Sequence, residues 1–357
     1  MNLSQLRSLS ILSLFIGPFT FAQFGPPEDP YRPAPEEAVL QFGPNAGQAV
    51  PTGRSRPVKV LREADLWERH NITPVVPGPG EDYLTISNFR HRKTHYIARV
   101  PLHALERIVI QFIDRSVGEP HVHIQERYQL KAGFAVELFD SSNRRNNELE
   151  PRQPTYLVRD IVPTTEAARP PRAQFRGRAA MQGHYGSVDV FASLEEKSAE
   201  MRGTRKSSVA QGIRTETRVT KDILQFKLLL TPDEGAQLLR FAAKESEQNQ
   251  YKFPYHPVTR SCLPTILRRY WKVLYGKAYA TPKFLWSFSV EFGLGQLREL
   301  GLLARGNAAV LPSYNDEVGM PRGNFRVTKK VQTVAAGMMC LTKVLGLTRK
   351  SLPPRKI

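Results

Sequence analysis

Residues 105–114, "LERIVIQFID", form a strongly apolar, β-branched run that reads as a strand, and similar runs surround it. "DYLTISNFRHR" (82–92) and "THYIARVPL" (94–102) read as strands or strand ends. "HVHIQERYQL" (121–130) and "FAVELFD" (134–140) flank the tripeptide "KAG". Two extended runs joined by three residues that include a Gly predict a β-hairpin. "TYLVRDIVP" (155–163) extends the sheet, and "DILQFKLLL" (222–230) adds another strand. Residues 164–182 read as a basic, Pro-containing loop, and 183–219 as irregular, with Gly183, Gly186 and Gly203 suggesting turns.

Helices follow the strands, so the class is α+β. "TPDEGAQLLRFAAKESEQ" carries a clear start signal: Thr231 as N-cap, Pro232 in the first turn, and Glu234 placed to complete a capping box. Beyond it, Ile266, Leu267, Tyr270, Val273 and Leu274 recur at three- and four-residue spacing as one apolar face, with Arg268, Arg269 and Lys272 off it. Pro264 is tolerated only in a first turn, which sets the start of that helix beside Cys262. Helix is expected again over 284–304 and 331–347, the latter too short to span a membrane.

The first 22 residues carry Arg7 and then an apolar run from Leu9 to Phe21, the pattern of a secretory signal peptide. Residues 23–56 are rich in Pro and Gly and read as a linker; 57–320 form the folded domain. The formal net charge is +18, and the tail 321–357 holds nine Lys or Arg with no Asp or Glu. For an exported chain, this basic tail suits an anionic membrane surface, or is simply a solvated basic segment. Nucleic acid is not expected as a partner, because the basic residues are not interleaved with an RNP-type aromatic strand or a recognition-helix pattern. The localisation expected is the periplasm or cell envelope of a bacterium.

The chain has two cysteines, Cys262 and Cys340. Cys340 sits among Met and Ala and reads as a structural residue. Cys262 stands at a helix start, where unpaired N–H groups and the helix dipole favour a thiolate. In an oxidising compartment the two can also pair as a disulfide, and both readings stay open. A nucleophilic cysteine needs a base, usually a histidine. Of eight histidines, His121 and His123 are the informative pair, because alternation puts them on one strand face with Gln125 and Arg127. That spacing also fits two metal ligands, but no third ligand stands out; no metal and no cofactor is expected. Ordinary surface histidines on a half-exposed strand remain the plain alternative.

The order of a His-bearing strand, a second strand, a connector, and "ILQFKLLLTPDEGAQLLRFAAKESEQNQYKFPYHPVTRSCLPTIL" resembles the N-terminal periplasmic domain family of the bacterial lipoprotein N-acyltransferase Lnb. Thr231, Glu234, Leu238, Leu239, Tyr251, Cys262 and Leu267 fill the family's pattern, and "PHVHIQERY" corresponds to its upstream His, through His121. Downstream, "ATPKFLWSFSVEFGLGQLRELGLL" is similar to a further family segment. The likeness covers roughly residues 80–317. Ser261 departs from it, since the family commonly has Asn before the cysteine. The resemblance implies a circularly permuted papain-like (NlpC-type) domain, an antiparallel sheet packed on helices that include the Cys-bearing one. It also implies Cys262 as nucleophile and His121 as base, and Glu137, by position on the next strand, is the guess for a group orienting the histidine.

Two functions are weighed. One is a thiol-dependent acyl-transfer enzyme of the envelope, an acyltransferase or an amidase or thioesterase, acting on a lipid or peptide substrate. Phe284, Trp286, Phe288 and Phe292 would then line an apolar channel, or serve as core. The other is a non-catalytic binding or scaffold protein with the same fold, docked on anionic membrane.

Overall fold

The computed structural model describes residues 32–53, 55–113, 123–141, 150–170, 176–201, 205–210, 213–218, 223–256, 260–276, 290–304, 310–318 and 355. The expected signal peptide and the expected helix at 331–347, with Cys340, lie outside them. The chain is α+β, built on a ten-stranded mixed sheet.

After helix α1 (Glu63–His70) come β1 (Tyr83–His91) and β2 (Thr94–Pro101). A 3-10 turn at Leu102–Ala104 leads to β3 (Leu105–Ile113), β4 (His123–Leu130) and β5 (Val136–Asp140). Next are β6 (Tyr156–Val158), β7 (Asp160–Ala168), α2 (Gly177–Met181), β8 (Gly186–Ser193) and α3 (Leu194–Met201). A separate two-stranded ribbon, β9 (Arg205–Ala210) and β10 (Ile213–Arg218), precedes β11 (Ile223–Lys227). The chain continues through α4 (Pro232–Asn249), α5 (Cys262–Tyr275), α6 (Val290–Glu299), β12 (Val310–Leu311) and α7 (Tyr314–Glu317).

The strand order is β12-β11-β3-β4-β7-β8-β1-β2-β5-β6. Every neighbouring pair is antiparallel except β1 and β8, which run parallel at Arg90 and Ala192, so the expected purely antiparallel sheet is in fact mixed. The expected strands at 82–92, 94–102, 105–114 and 222–230 are present, as β1, β2, β3 and β11.

The expected hairpin of 121–130 with 134–140 is not formed. β4 pairs with β3 and β7, whereas β5 pairs with β2 and β6. The KAG turn does close, with Phe134 N–H donating to the Lys131 carbonyl at 3.2 Å, and Gly133 supplies the positive φ of 86°. It is a bend rather than a reversal. Leu130 N–H donates to the Arg159 carbonyl at 3.2 Å, so the β4·β7 and β5·β6 ladders are successive stretches of one bent antiparallel ribbon. The expected strand at 155–163 is divided by the same bend at Arg159 into β6 and β7. β4 has no edge left for β5, because both of its sides carry partners whose side chains it matches. Gln125 Nε2 donates to Gln111 Oε1 on β3 at 2.7 Å, and Arg127 Nε to Asp160 Oδ1 on β7 at 2.9 Å.

One face of the sheet carries the main core. Ile108, Phe112, Ile124, Tyr128, Ile161 and Phe191 pack there under α4, α5 and α6, against residues such as Leu239, Leu267, Tyr270 and Leu297. The opposite face is covered in patches. Leu66 and Ile72 from around α1 meet Ile97 and Phe139. Leu194 and Tyr314, from α3 and α7, meet Ile113, Val162 and Ile223.

The stretch expected as a linker, where described, is packed: Ala38, Leu40 and Val50 bury against Ala168, Val188, Val190 and Tyr251. Proline and glycine there shape a short bridged turn, Val39 to Ala49, whose apolar residues find cover on the sheet. The stretch 183–219 is likewise ordered through β8 and α3; β8 was hidden by Gly186, whose lack of a side chain admits Leu40 Cδ2 within 2.7 Å of a would-be Cβ. β7 and α2 also occupy part of the expected loop at 164–182.

Candidate functional site

Helix α4 begins as the sequence predicts. Glu234 N–H donates to Thr231 Oγ1 at 3.1 Å, Thr231 N–H donates to Glu234 Oε2 at 2.8 Å, and Pro232 occupies the first turn. Arg355, from the basic tail, returns to this end, donating from Nη1 to Glu234 Oε1 at 3.1 Å and from Nη2 to the Gly301 carbonyl at 2.8 Å.

α5 runs back antiparallel beside α4: Lys272 lies over the Phe241 ring at 4.9 Å, and one turn earlier Arg269 Nε donates to Glu245 Oε2 at 3.0 Å. Between the two helices, Tyr255 N–H donates to the Tyr185 carbonyl at 2.7 Å and Ser187 N–H to the Phe253 carbonyl at 2.8 Å, at the start of β8. β8 starts opposite the end of β7, which runs antiparallel to β4. The first turn of α5 therefore stands at the end of the sheet where β4 begins.

Cys262 is the first residue of α5, a 14-residue helix, and is half-buried against the main core. Ser261 precedes it in extended conformation and makes no side-chain cap hydrogen bond. The N–H groups of the first helical turn thus receive no cap from that side chain and face the thiol's surroundings with the positive end of the helix dipole. Helix position and exposure agree with a reactive thiol; they are also what a packed helix start requires.

The middle of α5 is clamped by charge. Arg269, expected off the apolar face, is 1% exposed and among the largest buried side chains. Its guanidinium meets three carboxylates: Glu245 at 3.0 Å, Asp189 of β8 at 3.1 Å and Glu126 of β4 at 3.4 Å. Tyr270 and Tyr128 hydroxyls both donate to Glu126 Oε1, at 2.7 and 3.0 Å, and Thr165 Oγ1 donates to Asp189 Oδ1 at 2.6 Å. Burial pushes the Glu126 carboxyl up, against the opposing pull of Arg269 and the two tyrosines. For Arg269, burial works against the charge, but Asp189, Glu245 and Glu126 outweigh it and hold the guanidinium firmly protonated. Arg269 lies seven residues after Cys262 on nearly the same helix face, about 10 Å along the axis. The cluster fixes the helix that carries the thiol.

Alternation on β4 separates two polar systems. Glu126 and Tyr128 face α5. His123, Gln125, Arg127 and Gln129 occupy the other face, where Arg127 bridges Asp160 at 2.9 Å and Glu317 at 2.7 Å, and Gln225 accepts from its Nη1 at 3.0 Å. The face expected to present a His next to Gln125 and Arg127 is, in its described part, turned away from α5. His121 itself lies outside the described residues.

Glu137 is not brought to Cys262. It lies on β5, beyond the end of β4 opposite the one at which α5 begins, and its carboxylate accepts from Arg99 Nη1 at 3.2 Å, beside Glu63. β5 is not adjacent to β4, so the positional argument for Glu137 fails with the hairpin on which it rested.

Other histidines serve the scaffold. His91 Nδ1 and Ser193 Oγ are 2.7 Å apart, and His95 is 6% exposed, with burial and then Arg56 and Arg90 pushing its pKa down to about 3. Among the described residues no group of three or more His, Cys, Asp or Glu is arranged to hold a metal ion, and no helix is long and apolar enough to cross a membrane. The side chains of Phe284, Trp286, Phe288 and Phe292 fall outside what is described.

The charge clamp escaped sequence reasoning. Glu126 sits in a strand of otherwise alternating character, and Arg269 adjoins the half-buried Arg268, so neither stands out. One signal was available: Glu126 alternates with Ile124, Tyr128 and Leu130, an acidic residue on an apolar strand face. A search against known proteins returns no family model, no curated protein and no solved structure that matches this chain.

Proposed function

We propose that this chain is a cysteine-dependent acyl-transfer protein of the bacterial cell envelope, built on a permuted papain-like domain. Cys262 is the nucleophile and His121 the base. In this reading His121 takes the thiol proton, the thiolate attacks an acyl carbonyl of a lipid or peptide, and the leaving group departs with that proton. The resulting thioester is then opened by an amine, an alcohol or water, whose proton passes back through the imidazole. N–H groups of the first turn of α5 would stabilise the oxyanion.

The observation that carries the proposal is Cys262 as the first residue of a rigidly held helix, at the sheet end where β4 begins. Export and attachment of the basic tail to anionic membrane belong to the same reading. The engagement of Glu137 with Arg99, and the turning of the His123, Gln125 and Arg127 face of β4 away from α5, favour a second one, a scaffold protein of the same fold without a catalytic triad.

Alkylation kinetics decide between them. Iodoacetamide near neutral pH is expected to label Cys262 faster than Cys340, and His121→Ala to slow the Cys262 reaction while His123→Ala leaves it unchanged. Equal slow labelling of both cysteines, or a disulfide between them, refutes the thiol reading and leaves the scaffold.

A further inference from the structure

The groove between α4 and α5 on their solvent side forms a cleft of about 510 Å³. Four cations line it: Lys244 from α4, Arg268 and Lys272 from α5, and Arg260 from the segment just before α5. Among the described residues Glu245 is the sole carboxylate in the lining, and it already accepts from both Arg268, at 3.3 Å, and the buried Arg269, at 3.0 Å. Among the described residues, Lys244, Arg260 and Lys272 make no ion pair with a carboxylate. The cleft therefore carries surplus positive charge in a concave site, an arrangement that focuses potential on an anion.

Two of the cations are held in place by aromatic rings rather than by acids. The Arg260 guanidinium stacks 3.6 Å from the Phe253 ring centroid, and Lys272 Nζ lies 4.9 Å from that of Phe241. Ring stacking orients a cation without neutralising it, which leaves its hydrogen-bond donors available to a ligand. Arg260 is half-buried, and burial together with the Arg268 charge pushes its pKa down to about 10, an unfavourable environment that a bound anion would relieve. Gln248 and Asn249 add neutral amides at the cleft wall.

We infer that this cleft binds the phosphate of a phosphate ester, with Arg260 and Arg268 as guanidinium donors and Lys244 and Lys272 as flanking charges. Guanidinium groups match phosphate oxygens in pairs, and the volume accommodates more than a lone phosphate. The source of the phosphate is either a soluble ester or a lipid headgroup. Arg260 lies two residues before Cys262, yet anion binding here needs no thiol chemistry, and its test reads binding alone.

The full chain is titrated calorimetrically with inorganic pyrophosphate at low salt. In parallel it is sedimented with phosphatidylcholine vesicles with and without phosphatidylglycerol. Variants are Arg260→Gln, the exposed Lys272→Gln, and as control Lys131→Gln, which lies in the turn after β4. Arg260→Gln is expected to weaken binding about tenfold and Lys272→Gln severalfold, with the control unchanged. Loss in the pyrophosphate arm identifies a soluble phosphate; loss confined to phosphatidylglycerol vesicles identifies a headgroup. If both cleft variants match Lys131→Gln in both arms, or if wild type binds neither probe, the inference is wrong.

Discussion

The guanidinium of Arg269 stands 3.1 Å from the Asp189 carboxylate, with 1% and 5% of the two side chains exposed. This contact joins α5 to β8, and the same guanidinium reaches β4 and α4 through Glu126 and Glu245. Removing the cation leaves buried carboxylates uncompensated. Arg269→Leu is therefore expected to lower unfolding free energy by about 3–5 kcal/mol, read from urea denaturation. Arg269→Lys keeps the charge but cannot serve three carboxylates from one planar fork, so an intermediate loss is expected.

His95 makes stability depend on acidity. Its folded pKa of about 3 lies below the ordinary value of 6.5, so the unfolded chain binds the proton more readily. The neutral buried form contributes fully above about pH 6.5, and its contribution is lost as the pH falls toward 3. At pH 5 the deficit is on the order of 2 kcal/mol. Urea midpoints at pH 7.5 and pH 5 are expected to differ less in His95→Gln than in wild type.

Glu166 acts in a lower window. Burial raises its pKa, but Lys197 at 2.5 Å, Ser55 and Arg90 overcome this and bring it down to about 2. Its contribution is present above the unfolded carboxylate value and lost between about pH 4.5 and 2. Glu166→Gln is expected to flatten the acid limb of the stability curve below pH 4.5 without altering its shape near pH 6.

Thr231 caps α4, and its side chain accepts the Glu234 N–H at 3.1 Å. Thr231→Ala is expected to cost about 1 kcal/mol, whereas Thr231→Ser should be nearly neutral. Thermal unfolding of the two variants side by side checks this.

The helix starts were legible because their signals are local. A capping box and a first-turn proline specify α4 and α5 within a few residues, whatever the rest of the fold does. Strand existence was legible for the same reason: β1, β2, β3 and β11 each bury residues along their length. Strand pairing was not. The KAG turn obeys hairpin rules, yet β4 finds better partners in β3 and β7, and that choice depends on Gln111 and Asp160, 14 and 33 residues from the β4 side chains they meet. Glu137 was misplaced through the same error. Arg269 was misread because helical spacing reports which face is inward but not whether carboxylates wait there. Cys262 was located correctly at its helix start, since Pro264 leaves little freedom.

The sheet ends in two stubs: β12 has two residues and β6 has three. Long, flat borders invite strand addition, and short ones resist it. Leu157, at the β6 border, is 67% exposed, yet only three residues of ladder are available for an incoming peptide. A partner that recruits this molecule by extending its sheet would gain few main-chain hydrogen bonds from either border. Among the described residues, contact at these two borders would therefore run through side chains rather than through a main-chain ladder.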